Sequence, residues 1–274
     1  MALFATCIND VMFPDTCMAT VRLLERLGCR VCFPPQQTCC GQMFTNTGYF
    51  NEAIASVRAC ASAFEPYEYV VGPSGSCVGS LREQHPLLAE LSGDTALQQT
   101  VKAVVDKTYE LTEFLVDVLG IEDVGAYFPH TVVFHQSCHS LRVARLGDRP
   151  RRLMEKVRGL TLLPLEADDQ CCGFGGTFSV KNPDLSAAMV SEKARCVAKS
   201  GAEYLVTVDN ACLMNIGGAL HRDGIAVRTI HLAEILCSQE CERDEPHVCH
   251  PQPNRALLTH NKGEKDGRVG GGAP

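Results

Sequence analysis

One cysteine pattern occurs twice in this 274-residue chain, and it constrains the fold more than any other feature of the sequence. Each copy has a lone cysteine, an adjacent cysteine pair followed by glycine 32 or 33 residues later, and a final cysteine. Matching cysteines of the two copies lie 131 to 135 residues apart. A near-constant offset over four landmarks indicates an internal duplication. The first set is Cys7, Cys39, Cys40 and Cys77, and the second set is Cys138, Cys171, Cys172 and Cys212.

Predicted strands alternate with predicted helices in both halves, which is typical of parallel βαβ units. The first half has predicted strands at 2–6, 30–33 and 68–71 and predicted helices at 15–27 and 48–64. The second half has predicted strands at 131–134, 160–163 and 204–208 and predicted helices at 150–157 and 183–199. The sequence therefore predicts an α/β fold with two Rossmann-like parallel-sheet halves related by internal duplication.

Each cysteine-bearing segment follows directly after a predicted strand. Parallel sheets place their sites beyond the carboxyl ends of the strands, so the three segments of each half are expected to converge there. The predicted domains are a first cysteine-rich repeat at 1–94, a helical linker at 95–125, a second repeat at 126–237 and a disordered tail at 238–274. Within the linker, apolar residues at helical spacing predict one long helix over 95–119.

Composition excludes several classes of function. A formal charge of −7, a pI near 5.7 and the absence of Trp argue against a nucleic-acid binder, which needs basic and aromatic surface. No apolar run reaches the roughly 18 residues that a membrane span requires. The first basic residue is Arg22, so the N-terminus does not resemble a secretory signal. We therefore expect a cytoplasmic protein.

Sixteen cysteines in a reducing compartment indicate metal ligands and core residues before disulfides. Bridges between the adjacent pairs would also strain the peptide that joins them. Four thiolates suit an iron–sulfur cluster or a tetrahedral zinc ion, and iron–sulfur is the leading prediction. Glycines after each pair are expected to let backbone approach a bulky cluster, although a tight turn before a helix explains them too. These glycines are Gly41, Gly173, Gly175 and Gly176.

The repeated pattern resembles the CCG, or cysteine-rich, domain over about residues 1–236. That domain occurs in heterodisulfide reductase, in the iron–sulfur proteins of glycolate and glycerol-3-phosphate oxidation, and in the lactate utilization protein A family. The lactate utilization family is the most similar. The segments that carry the resemblance are residues 73–77, 134–139, 171–178 and 212–214.

The chain departs from this family's terminal Cys-x-x-Cys twice, because Ser74 and Asp209 stand three residues before Cys77 and Cys212. With four cysteines in each set, the resemblance implies one [4Fe–4S] cluster per set, held by the eight cysteines. The alternative is that one of the two sites holds zinc in place of a cluster. Asp209 is a candidate oxygen ligand, and the alternative is a helix N-cap. His135 is a further candidate ligand. His135 and His139 are also candidates to donate a hydrogen bond to cluster sulfur or to transfer protons. The alternative is that both are ordinary histidines at the end of a strand, without a functional role.

The remaining cysteines have simpler interpretations. Cys60 and Cys196 lie in predicted helices among apolar residues and are predicted to be core residues. A loose metal-binding tract near the C-terminus is a weaker compositional prediction. Its members are Cys237, Cys241, His247, Cys249 and His250, and the cysteines interpreted as structural are Cys17, Cys29 and Cys32.

The resemblance implies an iron–sulfur electron-transfer subunit of an oxidoreductase complex that converts L-lactate to pyruvate. Its implied partners are a ferredoxin-like iron–sulfur subunit and a small third subunit. No G-x-G-x-x-G motif follows a predicted strand, so the enzyme is not expected to depend on NAD. No catalytic residue is assigned. Arg142 and Arg145 are candidates to bind the substrate carboxylate, and the alternative is that they are solvated helix residues. The alternatives are a related glycolate oxidase or heterodisulfide reductase-type complex, and a zinc-stabilised interaction or assembly module without a redox role.

Overall fold

Two parallel β-sheets, one in each half of the chain, organise residues 1–240, which are the residues described by a computed structural model. The first sheet has the order β1-β2-β3 and the second has the order β5-β4-β6-β7. All pairings are parallel. These sheets confirm the predicted α/β class with two parallel-sheet halves. The strands are β1 (Ala2–Leu3), β2 (Val70–Gly72), β3 (Thr108–Glu110), β4 (Thr131–Phe134), β5 (Thr161–Leu163), β6 (Tyr204–Thr207) and β7 (Arg228–His231).

The central strands are apolar because helices and loops cover both of their faces. Every residue of β2 and β6 is buried. Val70 pairs with Ala2 on one side and Thr108 on the other, and Val132 pairs with Leu162 and Tyr204. These registers fix which loops emerge side by side at the carboxyl end of each sheet.

The two sheets have a matching strand order. An isolated bridge joins Ala2 to Cys32, so Cys32 occupies the edge next to β1 that β5 occupies next to β4. β1 therefore lies between the Cys32 bridge and β2, as β4 lies between β5 and β6. This arrangement is compatible with the duplication expected from the cysteine spacing.

Eight α-helices and two π-helical segments belong to the first half and the segment that follows it. They are α1 (Cys7–Met12), α2 (Pro14–Arg26), α3 (Gln42–Thr45), α4 (Phe50–Phe64), α5 (Gly75–Gly79), a π-helical segment (Ser80–Gln84), α6 (His85–Leu91), α7 (Thr95–Val105), α8 (Leu111–Glu113) and a second π-helical segment (Phe114–Val118). The second half has α9 (Cys138–Arg142), α10 (Arg149–Glu155), α11 (Thr177–Lys181), α12 (Pro183–Lys199), α13 (Asn210–Arg222) and α14 (Leu232–Cys237).

Two of the predicted elements are wrong. The strand predicted at 30–33 is reduced to the single bridge at Cys32, because Pro34 and Pro35 follow and lack the N–H that a ladder needs. The long helix predicted over 95–119 ends at Val105, and Thr108–Glu110 instead forms β3 against β2. The apolar periodicity did not reveal that a buried strand separates two shorter helices.

The two halves share one apolar core. The largest cluster of buried side chains contains Leu23 and Leu24 of α2 together with Ile235 and Leu236 of α14 and residues of both sheets. The guanidinium of Arg26 donates to the carbonyls of Leu236 and Cys237, both at 2.8 Å, and so satisfies the end of α14. Among residues 1–240, no helix is both long and apolar enough to cross a membrane. Of the tail predicted to be disordered, residues 238–240 are described, and residues 241–274 lie outside the described part of the chain.

Candidate metal sites

The structure brings the cysteines of each set to the carboxyl end of a sheet. Cys7 begins α1 directly after β1, and Cys77 lies in α5 directly after β2. The pair Cys39 and Cys40 lies in the loop between the Cys32 bridge and α3. The second half repeats this placement. Cys138 begins α9, Cys212 lies in α13, and the pair Cys171 and Cys172 lies in the loop after β5. Strand topology therefore delivers three separate segments to each set, as the sequence predicts.

Sulfur atoms are in contact within the first set. The Sγ atoms of Cys7 and Cys39 lie 3.6 Å apart. Donation from the Cys40 thiol lowers the pKa of Cys77. The backbone N–H of Gly41 points at the Cys39 sulfur, with an N···S distance of 3.5 Å. The imidazole of buried His85 lies 2.8 Å from the carbonyl oxygen of Cys40.

The second set repeats these contacts. The Sγ atoms of Cys138 and Cys171 lie 3.9 Å apart, and those of Cys172 and Cys212 lie 3.2 Å apart. The N–H of Gly173 donates to the Cys171 sulfur at 3.4 Å. Each half therefore supplies four thiols and one backbone donor in the same arrangement, which is the donor chemistry that soft metals and iron–sulfur clusters take.

In each set, the first cysteine of the adjacent pair has a lowered pKa. The pKa of Cys39 is far below its ordinary value because the thiols of Cys40 and Cys7 donate to its sulfur. The pKa of Cys171 is lowered in the same way by Cys138 and Cys172. Donation to these sulfurs raises the pKa values of Cys7 and Cys138. The sulfurs of each set thus share protons, and a bound metal would displace those protons.

Burial differs within each set. Cys40 and Cys172 have only 4% and 3% of their surface exposed, whereas Cys7 is exposed. A group held by the first set would therefore have a protected inner side and an accessible edge at Cys7.

The first glycine after each cysteine pair lies in a tight turn, as one of its two interpretations from the sequence predicts. Gly41 and Gly173 have φ values of +78° and +84°, which side-chain-bearing residues rarely adopt. A Cβ on Gly173 would lie 2.8 Å from the carbonyl oxygen of Ser186 in α12, and one on Gly41 would lie 3.0 Å from Cβ of Ser56 in α4. The glycines thus let the loop turn against a helix, while their N–H groups face the sulfur.

His135 lies beside the second set. Its side chain is fully buried, and neither ring nitrogen has a hydrogen-bond partner. Its nearest ring nitrogen and the sulfurs of Cys172 and Cys212 all lie within 4.8 Å of one another. Burial lowers the pKa of the imidazole to about 4, so the ring is neutral at physiological pH. The ring of His139 instead lies 3.5 Å from the Cys138 sulfur.

Asp209 stands at the N-cap position of α13, but its side chain makes no capping bond, so the cap expected there is wrong. The carboxylate turns instead toward serine residues that flank Cys77 and Cys138. Ser74, the residue in place of the family's cysteine, caps α5 by accepting from the N–H of Cys77 at 3.4 Å. Sequence reasoning missed the partner serines, since nothing in their spacing distinguishes them from ordinary helix-start residues.

The spacing of ligand atoms bears on which metal each site could hold. A tetrahedral zinc ion with bonds of about 2.3 Å to sulfur requires ligand atoms about 3.8 Å apart. The sulfur contacts of 3.6 Å in the first set and 3.2 Å in the second are close to this spacing. Within residues 1–240, three ligand atoms that all lie within 4.8 Å of one another belong to His135, Cys172 and Cys212.

The other predicted residues fall outside the two sets. Cys60 and Cys196 are buried, as predicted for core residues, and Cys17 is also buried. Cys29 and Cys32 are half-buried, and Arg142 and Arg145 are exposed. Of the C-terminal tract, Cys237 is buried in the shared core. The other four members of the tract lie outside the described residues.

A family model described as the cysteine-rich domain, CCG, matches residues 1–82 and 132–217. Its two matches coincide with the segments that carry the two cysteine sets.

Relatives with high sequence identity cover most of the chain. A lactate utilization protein A from Oceanobacillus iheyensis is 48% identical over 236 residues, which are 86% of this chain and 96% of the relative. Another lactate utilization protein A, from an Exiguobacterium species, is 48% identical over 238 residues, again 86% of this chain and 96% of the relative.

Among solved structures, a hypothetical protein from Helicobacter pylori superposes with a TM-score of 0.53 at 13% identity. The match covers 86% of this chain, which spans only 47% of that protein. At this identity the likeness concerns the fold alone.

Proposed function

Because the chain belongs to the cysteine-rich domain family and to the lactate utilization protein A family, we propose that it is an iron–sulfur electron-transfer subunit of an oxidoreductase complex. The reaction that we assign to the complex is the oxidation of L-lactate to pyruvate. The complex would work in the cytoplasm, where the thiols stay reduced.

The observation that carries this proposal is the pair of four-thiol sets at the carboxyl ends of two similar sheets. Four thiolates match the ligand number of a [4Fe–4S] cluster. We assign Cys7, Cys39, Cys40 and Cys77 to one cluster and Cys138, Cys171, Cys172 and Cys212 to the other.

Bound clusters would supply one-electron steps, and the chain's own residues would bind them and set their potential. The N–H groups of Gly41 and Gly173 would stabilise thiolate charge. Buried Cys40 and Cys172 would keep water from the inner side of each site. The exposed position of Cys7 would let a redox partner approach one edge.

The proposed partners are a ferredoxin-like iron–sulfur subunit and a small third subunit. Lactate releases two electrons and two protons when its hydroxyl carbon becomes a carbonyl, so one-electron carriers must act in sequence or in pairs. Two clusters in one chain would meet this requirement. The exposed Arg142 and Arg145 give no reason to place lactate on this chain.

A second candidate concerns the metal in the second set. The compact group of His135, Cys172 and Cys212 has the nitrogen and sulfur ligands of a structural zinc site. With zinc in both sets the protein would be a colourless interaction or assembly module without a redox role. A related complex acting on glycolate or on a disulfide would use the iron–sulfur sites in the same way.

The test is reduction by substrate. The full chain, purified without oxygen, is combined with the two partner subunits, and L-lactate, glycolate or a low-molecular-weight disulfide is added. We expect L-lactate to produce the EPR signal of reduced clusters in this chain, as dithionite does. Reduction by dithionite without reduction by lactate would contradict the assigned substrate, and reduction by glycolate alone would favour the related complex.

A further inference from the structure

A hydrogen bond joins equivalent positions of the two halves. Ser74 lies three residues before the last cysteine of the first set, and Asp209 lies three residues before the last cysteine of the second. The Ser74 hydroxyl donates to Oδ1 of Asp209 at 3.0 Å. The contact therefore connects the segments that carry Cys77 and Cys212.

The carboxylate of Asp209 collects five donors from both halves. From the first half, the N–H and hydroxyl of Ser76 donate to Oδ1 at 2.9 Å and 2.7 Å, in addition to the hydroxyl of Ser74. From the second half, the hydroxyls of Ser137 and Ser140 donate to Oδ2, the latter at 3.2 Å. Ser137 directly precedes Cys138, so a single side chain connects its own cysteine-bearing segment to two of the other five.

The surroundings of Asp209 leave little room for water. Only 2% of its surface is exposed. A Cβ on Gly75 would lie 2.2 Å from the Ser140 hydroxyl, so α5 and α9 touch at this point. Five donors around two oxygens suit the acceptor-only character of an ionised carboxylate. A charge that is buried away from water interacts more strongly with distant groups than a solvated charge does, because the surrounding dielectric constant is lower.

We propose that Asp209 is a positioning residue shared by both metal sites, holding Cys77, Cys138 and Cys212 in place and lowering the reduction potential of both bound groups. The inference rests on the proposed function, since it requires redox-active groups in the two sets. The positioning follows from the hydrogen bonds to both halves. The effect on potential follows because negative charge near a cluster disfavours the added electron.

Asp209→Asn tests the proposal, because it removes the charge with little change in shape. The full chain is purified without oxygen and titrated potentiometrically with EPR detection, and the two signals are assigned with serine variants of each cysteine pair. We expect the midpoint potentials of both sites to rise. The matched control is Glu234→Gln, another carboxylate between the halves, which accepts from Thr16 at 2.6 Å rather than from a cysteine-bearing segment. The control is expected to move neither potential.

Ser137→Ala keeps the charge and all eight cysteines, so it provides a milder variant if Asp209→Asn does not fold. Without this hydroxyl, Asp209 loses one of its hydrogen-bond donors and is held less firmly. We expect iron to be lost faster to a chelator from both sets, and not only from the second half in which Ser137 lies. A change confined to the second set, in the potential or in the rate of iron loss, would overturn the shared role. Unchanged potentials at both sites in Asp209→Asn would overturn it as well. Wild-type protein without any iron–sulfur signal would instead refute the proposed function, before any variant is compared.

Discussion

At position 135 the second half carries a histidine where the first half carries Phe4, each three residues before the first cysteine of its set. Both side chains are fully buried. Phe4 packs edge-on against Phe64, with 5.3 Å between ring centroids, whereas both nitrogens of His135 lack partners. An unpartnered buried polar group destabilises a fold by about 1–3 kcal/mol, so the imidazole is expected to serve the adjacent metal site.

Leucine is close to histidine in volume. His135→Leu should therefore stabilise the protein without metal but weaken metal binding by the second set. We expect His135→Leu to stabilise the metal-free protein by about 1 kcal/mol in urea denaturation, because the unsatisfied nitrogens are removed. We also expect metal loss from the second set to a chelator to become about 10–100-fold faster. His139→Leu is the control for a nearby histidine that is not fully buried. Lower stability of metal-free His135→Leu would contradict this account.

At the scale of the element, the turn that follows each cysteine pair depends on glycine. Gly173→Ala should destabilise the protein by about 2–4 kcal/mol, because its φ of +84° and its contact with α12 both exclude a side chain. Gly218 lies inside α13 with open space around it. Gly218→Ala should therefore stabilise the protein by up to about 1 kcal/mol. Urea denaturation of the two variants under the same conditions checks both signs, and similar losses in the two would argue against a specific role for the turn.

The elements differ in how far the sequence predicts them. The strand at 131–134 and the helix at 183–199 appear with the predicted bounds, because strong boundary residues and a clear apolar pattern agree there. β3 was not predicted, since Thr108 to Glu110 form a strand only through pairing with the buried β2. Local pattern cannot reveal a strand whose stability comes from its neighbour in the sheet.

For the candidate sites, sequence spacing predicts the cysteines of each set but not the contacts that surround them. The repeat and the strand-end placement are properties of the chain and can be read directly. The bonds of Asp209 to Ser74 and Ser137 join residues 135 and 72 positions apart, so they depend on how the halves pack. From the sequence alone, a polar residue directly before a helix is interpreted as an N-cap. Asp209 binds serines instead, because the two halves pack against each other at this point.

For the whole molecule, Glu110 makes stability depend on pH. Its side chain is fully buried at the end of β3, where Oε2 accepts from the N–H of Thr112 at 2.7 Å and Oε1 has no partner. Burial raises its pKa from 4.5 to about 8. The folded state thus holds this proton more tightly than the unfolded state does. The resulting stabilisation is complete below pH 4.5 and is lost as the pH rises through about 8.

Glu110→Gln should remove this dependence, because the amide stays neutral. We expect the variant to gain stability relative to the wild type between pH 5 and pH 9, by a few kcal/mol at the upper end. Urea denaturation at several pH values measures the difference. A constant difference across this range would contradict a buried, protonated Glu110.

The central claim, that each half of the molecule holds its own iron–sulfur cluster, is tested most directly by iron and sulfide content after purification and reconstitution without oxygen. We expect about eight iron and eight sulfide per chain, as two [4Fe–4S] clusters require. We also expect half of each when either Cys39 and Cys40 or Cys171 and Cys172 are replaced by serine. Stoichiometric zinc without iron in the wild-type protein would contradict the claim.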